Sequence, residues 1–242
     1  MTSAPLDATF RPLTRERPLY ASAALVAALI VLAGFAPTYY LKGVFATRDL
    51  DALRHVHGAV MTTWFALFFV QARLVATRRI AAHRQVGVVG IFVAMLVVAV
   101  GISLGIAAAR AGVTPVPGVS PLTFLVLPIG EMFTFSVLFV AAIALRRRAE
   151  YHKRLMLLAT LAMLAPAFAR FPAELVGPGG PVAFFGLTDL VIAGCIAYDS
   201  FRNRRMHPAF AAGVAVVVVS QVGRLVISGT PQWMDFAGWL VS

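Results

Sequence analysis

The chain has 242 residues, of which 60% are hydrophobic and 13% are charged, and its mean hydropathy is +0.85. A soluble domain needs far fewer apolar residues to fill its core, so the composition excludes an ordinary soluble protein. The net charge of +11 does not indicate a nucleic-acid partner, because the basic residues lie beside apolar runs. Cys195 is the only cysteine, which excludes an intramolecular disulfide and a thiolate metal cluster.

Apolar runs of about 20 residues, the length that crosses a hydrocarbon layer of roughly 30 Å, recur along the chain. They are apolar on every side and lack the alternation of barrel strands, so they predict an all-α bundle of about seven transmembrane helices. In chain order, the predicted spans cover residues 18–41, 57–76, 86–109, 121–145, 152–171, 181–200 and 208–228. We expect 1–17 to be a cytoplasmic segment, 18–228 the transmembrane domain and 229–242 a short extracytoplasmic tail.

The orientation follows from the distribution of Lys and Arg. Most of the 21 basic residues lie before the first span or in every second connection after it. Since short cytoplasmic connections carry an excess of Lys and Arg, this pattern places the amino terminus inside and the carboxyl terminus outside. The outer connections are short and rich in turn-forming residues, so the sequence predicts that any function resides among the helices.

Ionisable residues inside several spans are the first candidate site. Glu131 and Asp189 lie about 12 to 14 Å from the outer end of their helices at ~1.5 Å per residue. A charge at this depth must face protein or water, so we expect an outward-open polar cavity for proton or ligand handling. Its predicted members are His57, Glu131, Asp189, Arg170 and Arg224. The alternative is that the two acids form structural ion pairs with the two arginines, in either pairing.

The second and fifth spans carry further signals. On the second span, a partly polar stripe faces protein, because its members share one side of a helix: His57, Met61, Trp64, Phe68 and Gln71. In the fifth span Pro166 should kink the helix. Asp199 and Arg73 lie near inner helix ends, and we expect them to act as capping or snorkelling groups.

Histidines at helix ends suggest a cofactor. His83, His152 and His207 gather at the inner side. Three imidazoles at one membrane face predict a site for a metal or a haem. We expect His83 and His152 to be the cofactor-binding pair, and a copper site formed by His55, His57 and Met61 is a further option. The alternative is that the inner histidines are interfacial residues among arginines.

Three classes of function therefore remain open. The first is a redox or haem-associated membrane protein, with haem b or copper as cofactor. The second is a small-molecule or proton-coupled carrier, or a sensor, that uses the outer cavity. The third is a non-catalytic subunit or assembly factor of a membrane complex. The expected partners are the lipid bilayer and a membrane protein or second copy of the chain, with no nucleic acid. The sequence contains no HExxH, GxSxG or phosphate-binding P-loop motif.

Three separated motifs carry a resemblance to known sequences. They are HxHGxxM at 55–61, HRxxG at 83–87 and ExHKRLM at 150–156. In this order, the chain resembles a group of uncharacterised bacterial polytopic inner-membrane proteins, over roughly residues 53–170. The resemblance implies a location in the bacterial inner membrane, and it singles out His57, His83 and His152.

Overall fold

The computed structural model describes residues 17–47, 49–114, 118–172, 174 and 179–242, so the predicted cytoplasmic segment 1–17 lies outside the described residues apart from Arg17. The described chain is helical, without a β-strand. The helices are α1 (Arg17–Phe35), which continues as a π-helix (Ala36–Tyr40), then α2 (Ala52–Ala76), α3 (Ile80–Arg110), α4 (Pro121–Ala144), α5 (Ala149–Leu161), a 3-10 turn (Ala162–Leu164), α6 (Ala165–Phe168), α7 (Gly180–Asn203), α8 (Pro208–Ile227) and α9 (Pro231–Val241).

Local capping sets several helix starts. Asp51 accepts a hydrogen bond from the backbone N–H of Arg54 at 2.8 Å, so α2 begins earlier than the predicted span. Ser120 caps α4 in the same way, at 3.1 Å from the N–H of Thr123. Proline follows the capping residue of α4, α8 and α9. At this first helical position the backbone N–H has no partner within the helix, so proline, which lacks that N–H, loses no hydrogen bond.

Six of the seven predicted spans are single helices long and apolar enough to cross a bilayer: the α1 region, α2, α3, α4, α7 and α8. The fifth predicted span differs, because α5, the 3-10 turn and α6 divide it. Pro166 cannot donate to the carbonyl of Ala162, and its ring crowds that carbonyl. The helix therefore tightens to a 3-10 turn at Ala162–Leu164, just before Pro166, the residue at which the sequence predicts a kink.

The divided fifth span lies at the centre of the bundle. Nearly all of its residues between Leu157 and Phe168 are buried, and it packs against α1, α4, α7 and α8. At Gly34 of α1 the two backbones approach so closely that an added Cβ would lie 2.4 Å from the carbonyl oxygen of Ala167. Burial by the surrounding helices, rather than length, holds this broken segment in the membrane-spanning bundle.

Contacts at both ends show that the segment crosses the whole bundle. At one end, the start of α5 meets the start of α1 and the end of α7, through Arg154, Tyr20 and Asp199. At the other end, Arg170 lies over the ring of Phe35 at the end of α1, with 4.1 Å between the guanidinium carbon and the ring centre. We name these ends inner and outer after the predicted orientation.

The residues after the last span are helical. In α9, Trp233 is buried and donates its indole N–H to the carbonyl of Leu122 in α4 at 2.8 Å. Arg110 at the end of α3 donates to the carbonyls of Val241 and Ser242. The predicted tail is therefore bound to the outer ends of α3 and α4.

Candidate functional site

Glu131 lies in α4 facing the interior of the bundle, and only 7% of the residue is exposed. Its side chain makes no hydrogen bond to any described residue. The two cations that act on its carboxylate electrostatically are Arg224 of α8 and Arg170 beyond α6. A buried carboxylate in a membrane span that is not locked by a hydrogen bond is free to accept one from a ligand or to exchange a proton.

Arg224 is held against α4 by a close fit. Its Nη1 donates to the carbonyl of Leu127 at 3.3 Å, and its Nε donates to the carbonyl of Ser220 one turn back. A Cβ at Gly130 would lie 2.4 Å from its Cδ, so only glycine allows the side chain to pass. The guanidinium carbon lies 4.6 Å from the ring centre of Phe185.

Asp189 of α7 is joined to α8 by one hydrogen bond, which Gln221 Nε2 donates at 2.9 Å. Below this contact a cavity of about 190 Å³ separates the two helices. Apart from Asp189, apolar side chains line it: Ile192, Ala193, Ile196, Val214, Val217 and Val218. Arg224 interacts electrostatically with both Asp189 and Glu131, which connects this recess to the α4 acid.

His57 and Arg170 complete the outer side. His57 is half-buried, its Nδ1 is buried without a partner among the described residues, and Arg170 acts on the ring electrostatically. Arg170 is exposed and donates from Nη1 to the carbonyl of Pro166 at 2.7 Å. It interacts with Glu131 as well as with His57, so these three groups form one electrostatic unit.

We call the five predicted residues and Gln221 the outer cluster. In the order His57, Arg170, Glu131, Arg224, Asp189 and Gln221, each acts on the next electrostatically or, for Asp189 and Gln221, through a hydrogen bond. In the described part of the chain, no salt bridge within 4.0 Å joins Glu131 or Asp189 to Arg170 or Arg224. The alternative of direct structural ion pairs is therefore wrong for this geometry. The predicted set of cavity residues did not include Gln221, because the pattern of charges along the sequence does not identify a neutral amide as a partner of Asp189.

A second group of charged and polar residues, which we call the inner network, lies at the inner end: Tyr20, Glu150, Lys153, Arg154 and Asp199. Arg154 and Asp199 are each 0% exposed, and Arg154 Nη2 donates to Asp199 Oδ1 at 2.8 Å. Arg154 also binds Glu150 at 2.6 Å. The expectation that Asp199 is a capping or snorkelling group is therefore wrong, because the helix start of α5 covers it. The i, i+4 spacing of Glu150 and Arg154 was the available sequence signal.

The inner histidines separate into two roles. His207 caps α8 by accepting from the N–H of Ala209 at 3.0 Å, and its ring packs on Tyr151. His83 and His152 meet, with ring centres 6.3 Å apart. The Nδ1 of His152 lies 2.9 Å from the carbonyl oxygen of Ala142, so an N–H there donates to the carbonyl and leaves Nε2 as an acceptor.

The predicted copper site is less compact than its motif suggests. Residues two apart on a helix do not face each other, and His55 is exposed beside the ring of Tyr39, whereas His57 is half-buried. Met61 shares the side of His57. Over the described ranges, no group of three or more His, Cys, Asp or Glu side chains could hold a metal ion.

Comparison with known proteins adds no further assignment. No protein-family model, curated protein or solved structure matches this chain. The resemblance to uncharacterised inner-membrane proteins therefore stays a prediction, and the geometry described above carries the functional argument for a multi-pass membrane protein.

Proposed function

We propose that this membrane protein is a proton-coupled carrier for a small anionic molecule, which binds at the outer cluster. The two guanidinium groups of Arg170 and Arg224 supply donors for a carboxylate or phosphate. Glu131 exchanges the coupled proton, because its charge state sets the balance between the two cations and the bound anion. An anion bound beside a protonated Glu131 avoids the repulsion that an ionised carboxylate would impose.

The observation that carries this proposal is the unbonded state of Glu131. It is buried, two arginines act on it, and no salt bridge or hydrogen bond to the described residues holds it. A purely structural acid at this depth would gain its stability from such bonds, as Asp199 does at the inner end. The outer cluster thus has the components of a binding site rather than those of a closed ion pair.

The test uses purified protein in proteoliposomes with a pH-sensitive dye inside. Small monocarboxylates and inorganic phosphate are added outside, each in turn. We expect at least one of them to cause saturable uptake with a linked pH change. Glu131→Gln should lower the linked proton movement at least tenfold, and Arg224→Met should lower uptake. The matched control is Ser136→Ala on α4, since among the described residues that hydroxyl donates only to its own helix, at the carbonyl of Met132.

Uptake and pH change that persist in Glu131→Gln at the level of the unaltered protein would contradict the proposal, provided that the variant folds. Arg170→Met gives a second check, because Arg170 interacts with both His57 and Glu131. If none of the anions produces uptake in the unaltered protein, the carrier proposal for this class of substrate fails.

A redox or haem-associated role is the second proposal, and the contact between His83 and His152 favours it. Two imidazoles that share one metal from opposite sides, at ~2.0 to 2.1 Å from each nitrogen, have ring centres roughly 6 Å apart. The observed separation is 6.3 Å. Absorbance and metal analysis of the purified protein test this role: a Soret band or stoichiometric copper that disappears in His83→Ala and His152→Ala supports it, and the absence of both contradicts it.

A further inference from the structure

Buried polar atoms without partners are concentrated along one helix. Within the described residues, seven buried side-chain nitrogen or oxygen atoms have no hydrogen-bond partner in the protein. Three of them belong to α2, namely His57 Nδ1, Trp64 Nε1 and Gln71 Oε1, and a fourth, His83 Nδ1, belongs to α3. Each such atom left dry destabilises the folded protein, because it loses its bonds to water without replacement. Four of them in related positions therefore indicate a common occupant that hydrogen-bonds to all.

The three α2 positions repeat every seven residues. A step of seven turns an α-helix by about 700°, within roughly 20° of two full turns, so His57, Trp64 and Gln71 share one face. At ~1.5 Å per residue, successive positions lie about 10.5 Å apart along the axis. The row therefore covers about 21 Å of a hydrocarbon layer of roughly 30 Å.

The row continues at the inner end. His83 interacts with the backbone of Gln71, and its ring centre lies 6.3 Å from that of His152. The Nδ1 of His152 faces the carbonyl of Ala142, which leaves its Nε2 as the acceptor of the neutral ring. At the outer end, Arg170 connects His57 to Glu131. The row thus joins the outer cluster to the inner face of the bundle.

We infer that the face of α2 formed by His57, Trp64 and Gln71 lines a file of buried water that carries protons between the outer cluster and the His83–His152 pair. This inference rests on the proposed function, to which it adds the route of the coupled proton. Water suits these atoms because it can donate to Gln71 Oε1 and accept from Trp64 Nε1, whereas a purely apolar occupant satisfies neither.

One proton enters the water file for each proton that leaves it, so the protein undergoes no net chemical change. Glu131 or His57 releases a proton to the first water, each water passes one proton to the next, and His83 or His152 delivers one to the inner side. A gap of about 10.5 Å between side chains needs about three waters at ~2.8 Å spacing. The charged groups that act on the ends are Arg170 and Glu131 outside, and Arg84 beside His83 inside.

Trp64 marks the narrow point of the route. It is 3% exposed, and its ring packs edge-on against Phe135 at 5.0 Å and Phe139 at 5.8 Å between ring centres. An indole N–H can only donate, so Trp64 orients a water but does not itself relay a proton. The aromatic side chains exclude bulk water, which would otherwise let ions follow the proton.

The test measures two quantities in proteoliposomes: proton flux driven by a potassium diffusion potential, and anion uptake as described above. Gln71→Leu and Trp64→Phe should each lower proton flux at least tenfold, because each removes one polar atom from the file. Gln71→Glu keeps an acceptor oxygen and should retain flux. The control is Thr63→Val on the exposed side of α2, whose hydroxyl donates only to the carbonyl of Ala59.

The outcomes separate this inference from the carrier proposal. Unchanged proton flux in folded Gln71→Leu and Trp64→Phe overturns the water file, even if Glu131→Gln still abolishes coupled uptake. Loss of flux in both variants supports the file, even if no tested anion is taken up and the carrier proposal fails. If Trp64→Phe does not fold, Gln71→Leu compared with Gln71→Glu decides the matter.

Discussion

At the inner end of the bundle, Arg154 and Asp199 are fully buried and joined by several hydrogen bonds, and Glu150 and Tyr20 add further bonds to the same pair. At the outer end Glu131 is also buried, with 7% of the residue exposed, yet no side-chain bond to the described residues holds it. Buried charges are stable only when their remaining bonding capacity is satisfied. The inner network satisfies it within the protein and joins the helices, whereas Glu131 of the outer cluster has no hydrogen bond from its side chain to the described residues.

The largest effect is expected from breaking the inner network. Arg154→Met leaves the carboxylate of Asp199 buried without its cation, while Glu150 keeps Lys153, and this should reduce the free energy of unfolding by about 3 to 5 kcal/mol. Unfolding in detergent, followed by circular dichroism, measures the change. The double variant Arg154→Met/Asp199→Leu should recover much of the loss, because it removes the buried charge. A single variant as stable as the unaltered protein would show that the inner network does not hold the bundle together.

A smaller loss should follow from separating α1 and α6. Gly34→Val places side-chain atoms where the carbonyl of Ala167 lies, since even a Cβ would be 2.4 Å from its oxygen. Overpacking of this kind reduces stability by about 1 to 3 kcal/mol. Gly186→Ala on α7 is the control, because nothing lies within 4 Å of the added carbon. Equal unfolding free energies for the two variants would rule out a tight contact between α1 and α6.

In contrast to the inner network, the outer cluster should tolerate loss of its acid. Glu131→Gln breaks no hydrogen bond within the described chain and relieves the burial of a charge, so the unfolding free energy should change by less than about 1 kcal/mol. The same detergent unfolding experiment measures it, beside the transport assay. A loss as large as that of Arg154→Met would mean that both ends hold closed, structural charges.

The smallest effect concerns the exposed pair between Lys42 and Asp49, 2.6 Å apart in the connection after α1. Lys42 lowers the pKa of Asp49 through a hydrogen bond and its charge. Because this pKa is lower in the folded state, any stabilisation is present at neutral pH and disappears only as the pH falls below about 4. Asp49→Asn should leave the melting temperature at pH 7 unchanged within error, and a clear decrease would contradict this.

Hydropathy, charge and helical period predict much of the architecture. The spans of α1, α4 and α8 agree closely with the predicted ranges, because only long apolar helices satisfy their backbone bonds in lipid. The same penalty on charge in lipid predicts that Glu131 and Arg224 face inward, and both residues are buried in the bundle. The α2 stripe is also predictable, since a heptad spacing of polar residues defines one helix face without knowledge of the neighbours.

Other features depend on contacts that no local pattern encodes. The hydrogen bonds between Arg154 and Asp199 join residues 45 positions apart. Asp189 accepts a hydrogen bond from Gln221 rather than from either arginine, because α7 and α8 meet at that point. The fifth span was expected as one kinked helix, but its place at the centre lets surrounding helices support a break at residues 162–164. Lipid acts on each segment separately, so the sequence determined which segments enter the membrane and which faces turn inward. Which polar side chains bond to each other depends on how several helices meet, and only the tertiary structure decided that.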